Sequence, residues 1–181
     1  MKKLTIVASL VAAFGSVGMV QAASSGTITF NGELTANTCD VVVDGQTADA
    51  TVVLPTVGVN QLNSATKTAG DTGFVMALNN CSGTLQTASA FFEAGASVDS
   101  LTGRLKNLTG SASNVSLQLL DGSSTSQAII QAGNANQVMN TTYKDVSGGS
   151  TTLPYIVRYY AEAPTTAGTV ISNVVYSIQY Q

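Results

Sequence analysis

The sequence predicts an all-β sandwich, and three observations carry that expectation. Apolar residues recur with a period of two rather than 3.6, the apolar runs are short and rich in β-branched and aromatic residues, and turn-forming pairs separate them. In chain order the runs are Thr27–Phe30, Thr51–Leu54, Phe74–Leu78, Ala90–Phe92, Val115–Leu120, Ala128–Ile130, Tyr155–Tyr160 and Val170–Tyr180. Asp44-Gly45, Asp121-Gly122 and Gly148-Gly149 mark turns. Many short strands at this spacing in one domain fit a sandwich. The first run belongs to a longer alternation in which Gly26, Ile28, Phe30, Gly32, Leu34 and Ala36 share one face and Thr27, Thr29, Asn31, Glu33 and Thr35 the other. The last run alternates too: Val170, Val174, Tyr176, Ile178 and Tyr180 are apolar, Ser172 breaks the rule, and Ser177, Gln179 and Gln181 are polar. On the residues alone, both terminal runs read as ordinary strands of a self-contained sandwich.

The N-terminus sets the compartment. Met1-Lys2-Lys3 is a basic head, Leu4 to Val20 is apolar or small without a charge, and Val20-Gln21-Ala22 has small residues at the positions a signal peptidase needs. Residues 1–22 therefore read as a secretory signal peptide; the apolar stretch is short for a membrane span and holds Ser9, Gly15, Ser16 and Gly18. Cleavage after Ala22 leaves 159 residues (181 less 22), about one domain, with five basic against ten acidic side chains once Lys2 and Lys3 are gone. The basic residues are scattered, so no nucleic-acid partner is expected. Charged residues make up only 9 % of the chain, so solubility rests on Ser, Thr, Asn, Gln and Gly, and the surface leaves room for large subunit contacts. In an oxidising compartment the two cysteines, Cys39 and Cys81, read as one disulfide; the chain has no histidine and no Cys-x-x-Cys pair to favour a metal site instead.

Catalytic chemistry finds little to stand on. Without histidine, Ser-His-Asp and Cys-His arrangements are impossible. Asp40, Asp44 and Asp49 sit among turn residues, and no acid/base partner can be named for them. Asp40-Val-Val-Val-Asp44-Gly45 has a faint look of a calcium loop but lacks the alternating ligands and terminal Glu. No Gly-rich phosphate loop follows a strand. The sequons at Asn80, Asn107, Asn114 and Asn140 are simplest as accidents of an Asn/Ser/Thr-rich chain. Hence neither a catalytic residue, nor a metal ligand, nor a cofactor is assigned, and the chain is not expected to be an enzyme.

Five features together resemble a known family. They are the arm Gly26-Thr-Ile-Thr-Phe-Asn-Gly32 leading to Cys39, the second cysteine in Leu78-Asn-Asn-Cys81, the run Asn114-Val-Ser-Leu-Gln-Leu-Leu-Asp121, the run Arg158-Tyr-Tyr-Ala161, and a terminal segment with Tyr180 penultimate and Gly168 fourteenth from the end. Over essentially the whole mature chain the sequence resembles the major subunits of type 1-like fimbriae, the pilins assembled by the chaperone-usher route in Gram-negative bacteria. The resemblance implies an immunoglobulin-like sandwich that lacks its final strand, with a donor-strand arm over 23–38 running into the first strand and the sandwich domain over 39–181. It implies that Gly26, Ile28, Phe30, Gly32 and Leu34 fill a neighbour's groove, and that Gly168, Val170, Val174, Tyr176, Ile178 and Tyr180 form the strand beside this subunit's own groove. The implied partners are identical subunits, a periplasmic pilus chaperone, an outer-membrane usher, and a tip adhesin or adaptor at the fibre end. The implied place is a surface fimbria reached through the periplasm, and the implied role is shaft subunit, with a minor or adaptor pilin near the tip as the alternative. Donor-strand complementation is itself a standard example of β-strand addition.

Overall fold

Why this chain folds as two layers is clearest in its longest strands. The computed structural model describes residues 26–32, 34, 36 and 38–181. Its strands are β1 (Thr38–Val43), β2 (Thr68–Ser82), β3 (Thr87–Phe92), β4 (Leu105–Lys106), β5 (Val115–Asp121), β6 (Ile129–Ile130), β7 (Lys144–Asp145), β8 (Thr151–Ala161) and β9 (Tyr176–Tyr180). One 3-10 turn (Val59–Leu62) and one short helix, α1 (Gln137–Asn140), interrupt them. In β2 the alternate residues Phe74, Met76 and Leu78 are buried, and in β8 Leu153, Tyr155 and Val157 are, so each strand gives one apolar face to the interior.

The strands form two antiparallel sheets. The larger runs β1-β2-β8-β5-β4, with β6 also on β5, and the smaller runs β7-β3-β9. Ala88, Ala90 and Phe92 from the small sheet meet Phe74, Met76, Leu117, Leu119, Leu153 and Val157 from the large one. Tyr155 sits at the centre, with its ring edge-on to Phe92 at a centroid distance of 5.1 Å and tilted against Phe74 at 5.7 Å. The Cys39–Cys81 disulfide is formed and ties β1 to β2. The turn expected at Asp44-Gly45 is present, with φ of 47° and 70°, the left-handed pair a tight turn after a strand requires.

Four expectations about elements change. Thr27–Phe30 belongs to no strand: residues 26–32 have no ladder partner among the described residues. Thr51–Leu54 is likewise outside any strand, although Val52 and Leu54 pack on the core. The terminal run is a strand only over Tyr176–Tyr180, because its earlier half bonds to a loop instead of to a strand. Conversely, Asp40, placed above among turn residues, lies in β1. The leader over 1–22, Ala23 to Ser25, and Glu33, Thr35 and Asn37 lie outside the described residues. The chain divides into two compact units at residue 33, and the sandwich belongs to the second, Leu34–Gln181.

Candidate functional site

The small sheet has two edges, and the chain treats them differently. On one side of β3, the pairing with β7 covers Thr87 and Ala88. Beyond it, the Ala90 N–H donates to the Tyr155 hydroxyl at 3.0 Å and the Phe92 N–H donates to Gln137 Oε1 at 2.9 Å. Side chains thus replace the missing strand there.

The opposite edge belongs to β9 and is open. Mutual bonds join Thr87 and Gln181, and the Glu93 N–H donates to the Val175 carbonyl. In antiparallel register this leaves the odd-numbered residues from Val175 to Gln181 facing β3, while the backbone groups of Val174, Tyr176, Ile178 and Tyr180 point the other way. Among the described residues no strand pairs with that side.

Upstream, the terminal segment is fixed by side chains. The Asn107 Nδ2 donates to the Ala112 and Thr169 carbonyls, and its Oδ1 accepts from the Gly110 and Ile171 N–H groups. Backbone bonds run from Ala112 N–H to Thr169 and from Leu108 N–H to Ile171. Gly168 crosses so close to this loop that a Cβ there would lie 2.5 Å from the Ala112 nitrogen, with φ at +157°. That close approach is a physical reason for glycine at this position. The segment therefore changes partner between Ile171 and Val175, from the 107–113 loop to β3.

Alternation continues through the change of partner. Val170, Ser172, Val174, Tyr176, Ile178 and Tyr180 are half-buried, whereas Ile171, Asn173, Val175 and Ser177 are exposed. Three cavities follow one another along the inward face. One of about 570 Å³ is lined by Val57, Leu62, Tyr159, Gly168 and Val170 among others. The next, of about 440 Å³, reaches the core residues Phe74, Phe92 and Leu117 beside Val174 and Tyr176. The last, of about 120 Å³, lies between the disulfide, Leu85 and Tyr180. Ile178 packs on the core next to them. Ser172 places an unpartnered, buried hydroxyl in the middle cavity.

The other wall of the first two cavities is the segment Ala48–Val59, which the sequence reading took for a strand over Thr51–Leu54 and did not connect with the site. The Tyr176 hydroxyl donates to the Ala48 carbonyl at 2.8 Å and ties the two walls. The site is close to neutral: Asp49 is the charged group among its described lining residues. Burial raises the pKa of Tyr159, Tyr176 and Tyr180 above the ordinary phenol value, so all three stay uncharged at neutral pH; Asp49 adds to the effect at Tyr176, and the Cys39 backbone opposes it at Tyr180. A largely apolar groove with one carboxylate at its wall and an unpaired backbone edge suits an extended segment with apolar side chains two residues apart. Among the described residues no group of three or more metal-ligating side chains lies there.

The residues that the family resemblance casts as an arm begin in the first unit and are exposed. Ile28 and Phe30 are 77 % and 88 % exposed, and Leu34, just past the division, is fully exposed. Gly26 and Gly32 have nothing within 4 Å of where a Cβ would stand.

Comparison with known proteins gives a consistent picture. A family model described as Type-1 fimbrial protein, A, matches residues 54–181. The F17 fimbrial protein of Escherichia coli is 36 % identical over 186 aligned residues that span both chains completely. The major fimbrial subunit SMF-1 of Stenotrophomonas maltophilia (strain K279a) is 41 % identical over 161 residues, 87 % of this chain and 94 % of the relative. Among solved structures, the P pilus rod subunit PapA superposes with a TM-score of 0.55 at 18 % identity, over 79 % of this chain and 99 % of that one, a likeness of fold.

Proposed function

Because this chain belongs to the type-1 fimbrial protein A family and is a fimbrial subunit, we propose that it polymerises into the shaft of a surface fimbria by inserting its N-terminal arm, residues 23–38, into the groove of the next copy. The observation that carries this reading is the open edge of β9 and the two mainly apolar cavities that follow the terminal segment, in a chain whose arm exposes Ile28, Phe30 and Leu34. Full burial of each such side chain contributes about 1.5 to 3 kcal/mol, and a new ladder satisfies the edge N–H and C=O groups of β9. Gly26 and Gly32 let the arm's backbone approach closely.

Every strand pairing among the described residues is antiparallel, and an arm added in the same sense runs with Gly26 toward Tyr180 and Leu34 toward Gly168. Phe30, the largest arm side chain, then falls over the middle cavity. The arm and groove are different surfaces, so each copy caps one neighbour and is capped by another, and the contact propagates as an open fibre. Before assembly the groove needs a temporary occupant. A periplasmic chaperone lending a strand, an outer-membrane usher and a tip adhesin or adaptor complete the scheme, and residues 1–22 serve as the export signal. The family is one of structural fimbrial subunits, which is not an enzyme family.

The test is deletion of Ala23–Gly32. The shortened subunit is expected to form a one-to-one complex with co-expressed chaperone and to bind a synthetic peptide of residues 23–38, yet to give no fibres. A shortened subunit that folds as a stable monomer with no affinity for that peptide would overturn the reading.

A further inference from the structure

Asn31-Gly32 is the single Asn-Gly pair in the 181 residues, and it falls in the middle of the arm. Asn31 and Gly32 are both exposed and belong to no strand, and nothing lies within 4 Å of the Gly32 Cβ position. Asparagine followed by an unhindered, conformationally free glycine is the arrangement in which a main-chain nitrogen reaches the preceding side-chain carbonyl most easily. From this we infer that Asn31 is a deamidation site of the unpaired arm; its consequence for assembly rests on the strand-donation reading above.

The chemistry needs only water. The Gly32 nitrogen attacks Asn31 Cγ, a C–N bond forms, and the carboxamide nitrogen leaves as ammonia, taking up the amide proton. The five-membered imide then adds one water. Opening at the side-chain carbonyl yields an aspartyl residue; opening at the main-chain carbonyl yields an isoaspartyl residue, whose backbone detours through the side-chain carbons and is one methylene longer. A strand holds ψ near +135°, which keeps the attacking nitrogen away from Cγ, so a paired arm resists the reaction. An isoaspartyl arm also misplaces Leu34 relative to Phe30, because side-chain register along a strand depends on a constant repeat.

The two Asp-Gly pairs, which can close the same ring, are restrained. Asp44 Oδ1 accepts from the Val75 N–H at 2.7 Å, and Asp121 accepts from the Ser123 and Thr142 N–H groups at 2.8 and 2.9 Å. Asn63-Ser64, exposed on both residues, serves as an internal reference in the folded domain.

Soluble periplasmic subunit and isolated fibres, both full-length mature protein, are incubated in parallel at mildly alkaline pH, and the peptide spanning Asn31 is followed by mass spectrometry with isoaspartyl assignment. In soluble subunit, conversion at Asn31 is expected to be about tenfold or more faster than at Asn63, and in fibres it is expected to be suppressed by a similar factor. Isoaspartate at position 31 should be depleted from newly made fibres relative to the soluble pool, and an Asn31→Gln subunit should show no conversion there. Conversion at Asn31 no faster than at Asn63 in soluble subunit overturns the inference and leaves strand donation untouched. Equal, fast conversion in subunit and fibre sustains the site and overturns strand donation.

Discussion

Gln137 and Phe92 form a reciprocal pair: the Phe92 N–H donates to Gln137 Oε1 at 2.9 Å, and Gln137 Nε2 donates to the Phe92 carbonyl at 3.0 Å. A side-chain amide thus imitates a neighbouring strand at the closed edge of the small sheet, while the far edge is left bare. With Tyr155 taking the Ala90 N–H, the pair satisfies this edge of β3, and the edge of β9 is the one without a strand partner among the described residues.

Gln137 is 5 % exposed, so its loss cannot be made good by water. Gln137→Leu keeps the volume and strands the Phe92 N–H, whereas the Phe92 carbonyl retains a bond from the Gly133 N–H at 2.7 Å. One buried donor left unpaired should destabilise the subunit by about 1 to 3 kcal/mol. Urea unfolding of the arm-peptide-bound subunit measures this, and an unchanged midpoint would show that the pair carries no stability.

Much of this architecture was legible in the residues. Phe74 to Leu78, Val115 to Leu120 and Tyr155 to Tyr160 alternate within long strands and form the core as expected. Strand status failed where pairing, not periodicity, decides it. Thr27–Phe30, Thr51–Leu54 and Val170–Val175 all alternate, yet none has a strand partner among the described residues, because alternation reports which face is apolar and says nothing about who supplies the hydrogen bonds. The same gap hid the second wall of the groove at Ala48–Val59. The clamping role of Asn107 could not be read either, since two of its four bonds reach residues 62 and 64 positions away in sequence, beside Gly168.

The disulfide joins β1 to β2 across a separation of 42 residues, and it also lines the last cavity beside Tyr180. For a loop of this length the chain-entropy account gives a contribution of about 4 kcal/mol. Cys39→Ser is therefore expected to lower periplasmic subunit yield severely and to abolish fibres. Normal piliation by the variant, counted by electron microscopy, would contradict this.

Acid should weaken one ion pair on the large sheet. Burial alone would raise the Glu162 pKa, but Arg104, bonded at 2.8 and 2.9 Å, and the Ser116 hydroxyl outweigh it and hold the carboxyl below its ordinary value near 4.5. A depressed folded-state pKa means that the stabilisation is complete above about 4.5, the unfolded value, and disappears as pH falls through the lower folded value. Since the Glu162 side chain is 42 % exposed, screening limits the contribution to about 1 kcal/mol or less. Thermal unfolding of wild type and Glu162→Gln should differ at pH 6 and converge as the pH falls through the lowered folded-state value; a difference that persists in strong acid would assign the effect to packing.

Val174 and Val175, just before β9, present opposite faces of the terminal segment. They are adjacent in sequence, but Val174 is half-buried and lines the middle cavity, whereas Val175 is 70 % exposed on the opposite face. Gln179 is a poorer reference than its polarity suggests, being half-buried with an unpartnered Nε2. Val174→Asp sets a carboxylate among Phe74, Phe92 and Leu117 once an arm closes the cavity over it, and an uncompensated buried charge is costly. Affinity for a peptide of residues 23–38 should fall by about 100-fold or more, corresponding to some 3 kcal/mol, and fibres should be lost. Val175→Asp should change affinity by less than about threefold, because a new surface charge beside an unaltered cavity meets only weak, screened interactions. Titrating the same peptide into both variants decides the matter: equal affinities would mean that the inward face of the terminal segment does not receive the arm.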